Sequence, residues 1–158
     1  MAQIGHTGHA VRWDRRAIEH TPVLQAFWAL RIGFTIAPLI AGLDKFADLL
    51  VNWTMYLAPW ARDLTTSLFG ASGPQYYMYA VGVIEVIAGI GVFLYPRIFG
   101  YIVSAWLLAI VINLVTFPPA QAYYDIALRD LGLAIGAFAL ARLAAHDHHN
   151  HAEPRAAR

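Results

Sequence analysis

The sequence predicts an all-α membrane protein: a four-transmembrane-helix bundle with both termini cytoplasmic and short interfacial helices between spans 1 and 2. Three observations carry that prediction. Hydrophobic residues make up 59% of the 158 positions and charged residues 13%, with a mean hydropathy of +0.50, which is too apolar for a soluble domain of this length. Four apolar stretches, at about 22–43, 76–95, 98–117 and 123–144, each approach the ~20 residues that a ~30 Å hydrocarbon core requires of a spanning helix. The basic residues are also lopsided. Arg12, Arg15, Arg16, Arg97, Arg142, Arg155 and Arg158 fall on one side and Lys45 and Arg62 on the other, so the preference of Lys and Arg for the cytoplasm puts both ends inside. The expected location is the inner cell membrane, as a multi-pass protein.

Composition also removes several functions. A net charge of +1 without a basic stripe argues against nucleic acid as a partner. The absence of cysteine excludes a disulfide framework, a thiol–disulfide catalyst and an iron–sulfur cluster held by this chain. No histidine falls inside a span, so a bis-His haem between the helices is excluded as well.

Residues 1–21 form a polar segment that lacks the apolar core and cleavage site of a signal peptide, and they are expected to be a retained cytoplasmic tail. Trp13 and Ile18 allow part of it to lie on the headgroups as an interfacial helix. Thr21-Pro22 is a helix start. In the first span Arg31, Thr35, Pro38, Gly42 and Lys45 recur at steps of three and four and form its polar stripe. Pro38 removes a helix hydrogen bond and leaves a carbonyl for Thr35 or a neighbour to satisfy. The outer segment 44–75 is too polar to span. Its apolar residues recur at near-helical spacing, which predicts one or two short helices broken at Pro59 and closed by a turn from Gly70 to Pro74. Asn52-Trp53-Thr54 also fits the glycosylation pattern.

The second span carries a single charge, Glu85, near its middle. A carboxylate at that depth costs about 2.5 kcal/mol or more on insertion scales, so it should face protein or water and should have a partner. Gly82 and Gly89 share its helix face and allow close approach by another helix. Pro96-Arg97 breaks the chain before the third span, where Asn113 is the strongly polar residue. Pro118-Pro119 ends that span. The fourth carries Asp125, Arg129, Gly132 and Gly136 at helical spacing, and Gly132 to Gly136 is a GxxxG pair. Residues 146–158 are a His-rich cytoplasmic tail, in which His146, His148, His149 and His151 are weak candidates for a metal site.

Arg31 followed by Gly42-x-x-Lys45 in the first span, then Gly82-x-x-Glu85-x-x-x-Gly89-x-Gly91 in the second, then a tight turn into an apolar third span, resembles the DoxX family of small four-helix membrane proteins. The resemblance covers roughly residues 30–140. It implies association with a membrane oxidoreductase or respiratory complex. The long Trp-containing outer segment and the Arg129-Asp130 pair depart from the family pattern, which points to a specialised partner surface.

Two constellations follow from the residues. By counting from the span ends, Glu85, Arg31 and Arg129 lie at similar depth, which makes an intramembrane ion pair the expected arrangement, with Arg129 favoured as the partner and Asp130 beside it. At the outer end Asp44 and Lys45 are read either as solvated helix termini or, with Trp53, Tyr56 and Trp60, as a surface for another subunit. With no redox centre or cofactor ligand in the chain, the expected role is a non-catalytic accessory or structural subunit whose other partners are membrane lipids, with lipid or quinone as possible bound molecules. Two alternatives remain open. One is a small-solute or proton-linked transporter using Glu85, and the other is a quinone-binding subunit with a slot lined by aromatics near Trp106 or Tyr123.

Overall fold

The computed structural model describes residues 22–152, with side chains through residue 145. The expected interfacial helix around Trp13 and Ile18 lies outside the described residues, as do the side chains of His146, His148, His149 and His151. Among the described residues every regular element is helical. The long helices are α1 (Pro22–Asp44), α3 (Gly73–Leu94), α4 (Pro96–Val115) and α5 (Tyr124–Ala152), and the shorter α2 (Pro59–Phe69) lies between α1 and α3. Single 3-10 turns at Trp53–Tyr56, Gly70–Ser72 and Pro119–Gln121 punctuate the connections. The short outer helices expected around Pro59 are thus present. The Gly70 to Pro74 turn is tighter than expected, because α3 already begins at Gly73.

Three helical stretches are long and apolar enough to cross a membrane: Pro22–Asp44, the run Pro59–Leu94 that contains α3, and Pro96–Val115. α5 is not one of them, since Asp125, Arg129 and Asp130 crowd its first two turns.

The long helices close into a ring in the order α1, α3, α4, α5. Two seams hold it, and both are made by small residues. Between α1 and α3 the backbones nearly touch: a Cβ added at Gly42 would lie 2.7 Å from the Gly82 carbonyl oxygen, and one added at Gly82 would lie 2.7 Å from that of Gly42. Two turns further in, Gly89 faces the Thr35 carbonyl and the Leu39 side chain. Between α4 and α5, Gly100 packs on Ala137 and Ala141, and the Ser104 hydroxyl donates to the Ala134 carbonyl at 2.9 Å. Such seams suit helices in lipid, where close van der Waals contact and interhelical hydrogen bonds replace the hydrophobic effect as the cause of association. Phe34, Val92, Val103 and Leu140 fill the middle of the ring.

The pairing differs from what Arg129 as the favoured partner of Glu85 required, which is close approach of the second and fourth spans. Gly82 and Gly89 are taken up by α1, Gly132 faces open space, and Gly136 meets the Phe34 ring of α1. α3 and α5 therefore sit diagonally across the ring. Pro38 behaves as expected in losing its N–H, but Thr35 does not cover the freed carbonyl: its hydroxyl donates to Arg31 O at 2.7 Å.

The segment between α1 and α3 folds back as a cap over one end of the bundle. Asn113, near the end of α4, accepts from the Ala58 N–H at 3.0 Å and donates to the Tyr56 carbonyl at 2.7 Å. The Trp60 indole donates to Thr116 at 3.0 Å. Leu57 and Ala61 pack on Met78 of α3, and within the cap Asn52 accepts from the Thr54 N–H and hydroxyl. The polar residue of the third span is thus bonded to the cap.

Candidate functional site

At its carboxyl end α1 turns sharply after Asp44. Asp48 sits in the left-handed region at φ 48°, which Asp tolerates better than most residues. The turn brings the Leu49 and Leu50 N–H groups onto one oxygen of the Asp44 carboxylate, at 3.0 and 3.1 Å. The Trp53 indole N–H donates to its other oxygen at 2.7 Å. The opposite use of Trp53 is electrostatic, because the Lys45 ammonium lies 3.7 Å from the centroid of its ring. Trp53 therefore clamps two adjacent residues of opposite charge by two different means, hydrogen bond and cation–π contact.

Lys45 then turns back along α1, with Nζ 3.5 Å from the Ala41 carbonyl, and reaches Glu85 Oε2 at 2.5 Å. Both side chains are almost out of reach of solvent, at 4% and 11% exposure. This is the partner that the intramembrane carboxylate needs, and the geometry follows from the glycines. Gly42 and Gly82 fix the contact between α1 and α3. Lys45 lies three residues beyond the first and Glu85 three beyond the second. At 1.5 Å per residue Glu85 is about 18 Å from the Gly73 end of α3, so a long, flexible lysine stem suits the reach better than a short cation would.

The structure corrects the expected pairing. Glu85 meets neither Arg31 nor Arg129. Arg31 lies toward the other end of α3, where its Nη2 donates to the Phe93 carbonyl and its guanidinium lies 4.9 Å from the Trp28 ring centroid, with Phe27 and Phe93 also close. Arg129 binds its neighbour instead, Nε to Asp130 Oδ1 at 3.0 Å, with its own side chain 65% exposed and that of Asp130 8% exposed. Counting depth from span ends gives height along the bundle but not rotation about each helix, and the diagonal position of α5 removes Arg129 from reach. The outer pair is corrected too. Asp44 and Lys45 are buried rather than solvated, and Trp53 and Tyr56 are only partly exposed, turned toward the bundle interior. Trp60 alone of the expected surface residues is largely exposed.

Beside the ion pair lies a cavity of about 930 Å³ bounded by α1, α3, α4, α5 and the cap. Its size is in the range of small-molecule sites, and its walls are mainly apolar with a few convergent polar groups, as such sites usually are. Lys45 and Glu85 form one wall, Asp130 with Arg129 another, and Trp53, Tyr56, Tyr77 and Trp106 supply aromatic surface. Trp106 faces the Glu85 carboxylate. Its indole nitrogen is buried, and that carboxylate is the acceptor it faces, without a hydrogen bond of good geometry. Tyr123 is elsewhere: it packs against Tyr56 and Phe117 and borders a smaller hollow of about 640 Å³ with Arg62 and Asp63 at the capped end. Among the described residues no group of His, Asp or Glu side chains is arranged to hold a metal ion.

The paired motifs Gly42-x-x-Lys45 and Gly82-x-x-Glu85 already contained the Lys45–Glu85 contact. Treating Lys45 as a solvated helix terminus hid it. The cap could be found only from Asn113, the polar side chain left over in an apolar span. No family model, curated protein or solved structure matches this chain.

Proposed function

We propose that the chain is a four-span, DoxX-like protein of the inner cell membrane with both termini in the cytoplasm. We further propose that it serves a membrane redox system as a non-catalytic subunit whose inter-helix cavity receives a quinone-class molecule. The observation that carries the ligand is the mainly apolar cavity of about 930 Å³ with the Lys45–Glu85 pair and the buried Trp106 indole nitrogen on its wall. A ring carbonyl entering the cavity would accept from the Trp106 N–H, with aromatic faces available for stacking. The redox half of the proposal rests on the family resemblance.

A fourth crossing is supported by the packing of α5 along α4 over the Gly100 and Ala137 seam and by the fate of its charges. Asp130 is buried on the cavity wall and paired, and the exposed Arg129 is close enough to the helix end for its guanidinium to reach the interface. The inside orientation gains support from Lys45, whose charge is matched by Glu85 within the bundle, which leaves Arg62, bonded to the Thr54 carbonyl, as the cap's cation without a carboxylate partner among the described residues.

The alternative, a transporter that cycles protons through Glu85, would require that carboxylate to release Lys45 at each turnover. A buried pair at 2.5 Å favours the binding role instead. The test is titration of a decyl-tailed benzoquinone into the protein in lipid nanodiscs, followed by tryptophan fluorescence and checked by equilibrium dialysis. Trp106→Phe keeps the ring and removes the donor, so affinity should fall by roughly fivefold, the worth of one net hydrogen bond. Unchanged binding by this variant would remove the assigned contact.

A further inference from the structure

The cavity is not sealed from the bilayer. α1 and α5 touch where the Phe34 ring packs on Gly136, Ala137 and Leu140. Beside that contact they part. The facing residues there are Gly33, Ala37 and Ala41 on α1 and Gly132 and Leu133 on α5, all on the cavity lining, and Gly33, Ala37, Gly132 and Leu133 are exposed. The glycines of this gap differ in kind from those of the seams. A Cβ added at Gly33 or at Gly132 would meet nothing within 4 Å, whereas at Gly42, Gly82, Gly89 and Gly100 it would meet a neighbouring helix at 3.0 Å or less. Tight packing explains the second set and cannot explain the first.

We infer that the gap between α1 and α5 is a lateral portal, through which a lipid-dissolved ligand enters from the bilayer and in which its apolar tail stays while its polar ring lies at Trp106 and the Lys45–Glu85 pair. The inference rests on the quinone-class reading of the cavity and adds to it the form of the ligand and its route. Two features favour an amphipathic molecule entering sideways. Lys45, Glu85 and Trp106 lie at the inner end of the space and the charged Arg129–Asp130 pair at one edge of the gap, while the gap itself is lined by glycine, alanine and leucine, which suits hydrocarbon. At the capped end, Asn113 and Trp60 tie the outer segment down by hydrogen bonds to Tyr56, Ala58 and Thr116, so the direct path from water is covered by bonded backbone. A membrane-soluble ligand needs no such path.

Side chains placed at the open glycines should fill the gap without disturbing the fold. The experiment compares wild type, Gly33→Leu, Gly132→Leu and the double variant in nanodiscs, titrated with the decyl-tailed benzoquinone and with the same benzoquinone lacking the tail. Helix content and thermal unfolding serve as the check on folding. The double variant should keep the wild-type melting behaviour and its affinity for the tailless probe, while affinity for the tailed probe falls by roughly tenfold or more, as expected when about two methylenes lose their buried contacts. Full retention of the tailed probe by the folded double variant would overturn the portal and leave the cavity reading intact. Equal weakening of both probes would also overturn it, since the new side chains would then be filling the ring site. If wild type binds neither probe, the cavity reading fails and the portal with it.

Discussion

Lys45→Met should destabilise the protein by about 3 kcal/mol or more, while Lys45→Met combined with Glu85→Leu should return it to within about 1 kcal/mol of wild type. The asymmetry comes from desolvation. Removing Lys45 leaves the Glu85 carboxylate buried, with Asp130 as a like charge across the cavity, so the carboxylate must either stay ionised without a partner or take up a proton. Removing both charges leaves two apolar side chains of similar volume in the same place. Unfolding by detergent titration in mixed micelles gives the four corners of the cycle, and a coupling energy near zero would show that the two side chains do not act on each other. The single Lys45 variant should also loosen the cap, because it deprives the face of Trp53 of its cation. Arg129→Met also leaves a buried carboxylate, Asp130, but the cation it removes is 65% exposed and its pairing is weakened by solvent, so the cost should be smaller, about 1 kcal/mol.

The second large effect belongs to the seam that creates the ion pair. Gly42→Val and Gly82→Val each place a Cβ 2.7 Å from a carbonyl oxygen of the facing helix, and a backbone atom cannot rotate aside as a side chain would. α1 and α3 must separate, and the Lys45 stem, which is anchored to that contact, is drawn away from Glu85. A loss of about 3 kcal/mol is expected for each, the upper end of overpacking penalties, read in the same detergent titration. Gly33→Ala and Gly132→Ala, in open space, should stay within about 0.5 kcal/mol of wild type. Equal tolerance at all four positions would mean that α1 and α3 do not pack at this register.

Much of this architecture was legible in the chain. The apolar runs between proline and glycine breaks predict the helices to within a few residues, except that α5 runs on to Ala152, eight residues past the expected end of the fourth span, and Glu85 marks itself as a group in need of a partner because lipid offers none. What was not legible was rotation. Depth can be counted along a span, and by depth Arg129 is a good partner for Glu85; which face each helix turns to which neighbour depends on the ring order, and that order is decided by the contact of Gly42 with Gly82. Lys45 was missed because a charged residue after the last turn of an apolar helix is ordinarily solvated. Here the cap covers it. The aromatic residues of the outer segment misled for a related reason: Trp and Tyr suit both a partner surface and the underside of a lid, and only the bonds from Asn113 and Asp44 decide for the lid in the case of Trp53 and Tyr56.

The pairing of Glu85 with Lys45 is the point on which the cap, the cavity wall and the placement of Trp106 all depend, and it can be measured in a bilayer. Solid-state NMR of protein labelled with nitrogen-15 in lysine and arginine side chains and carbon-13 in glutamate carboxylates reports through-space nitrogen–carbon coupling. Assignment is made by Lys45→Met and Glu85→Gln. The expected result is a strong coupling between Lys45 Nζ and Glu85 Cδ, in keeping with the 2.5 Å contact, that vanishes in either variant. A Lys45 ammonium in fast exchange with water, or a Glu85 carboxylate coupled to Arg129 or Arg31, would contradict it.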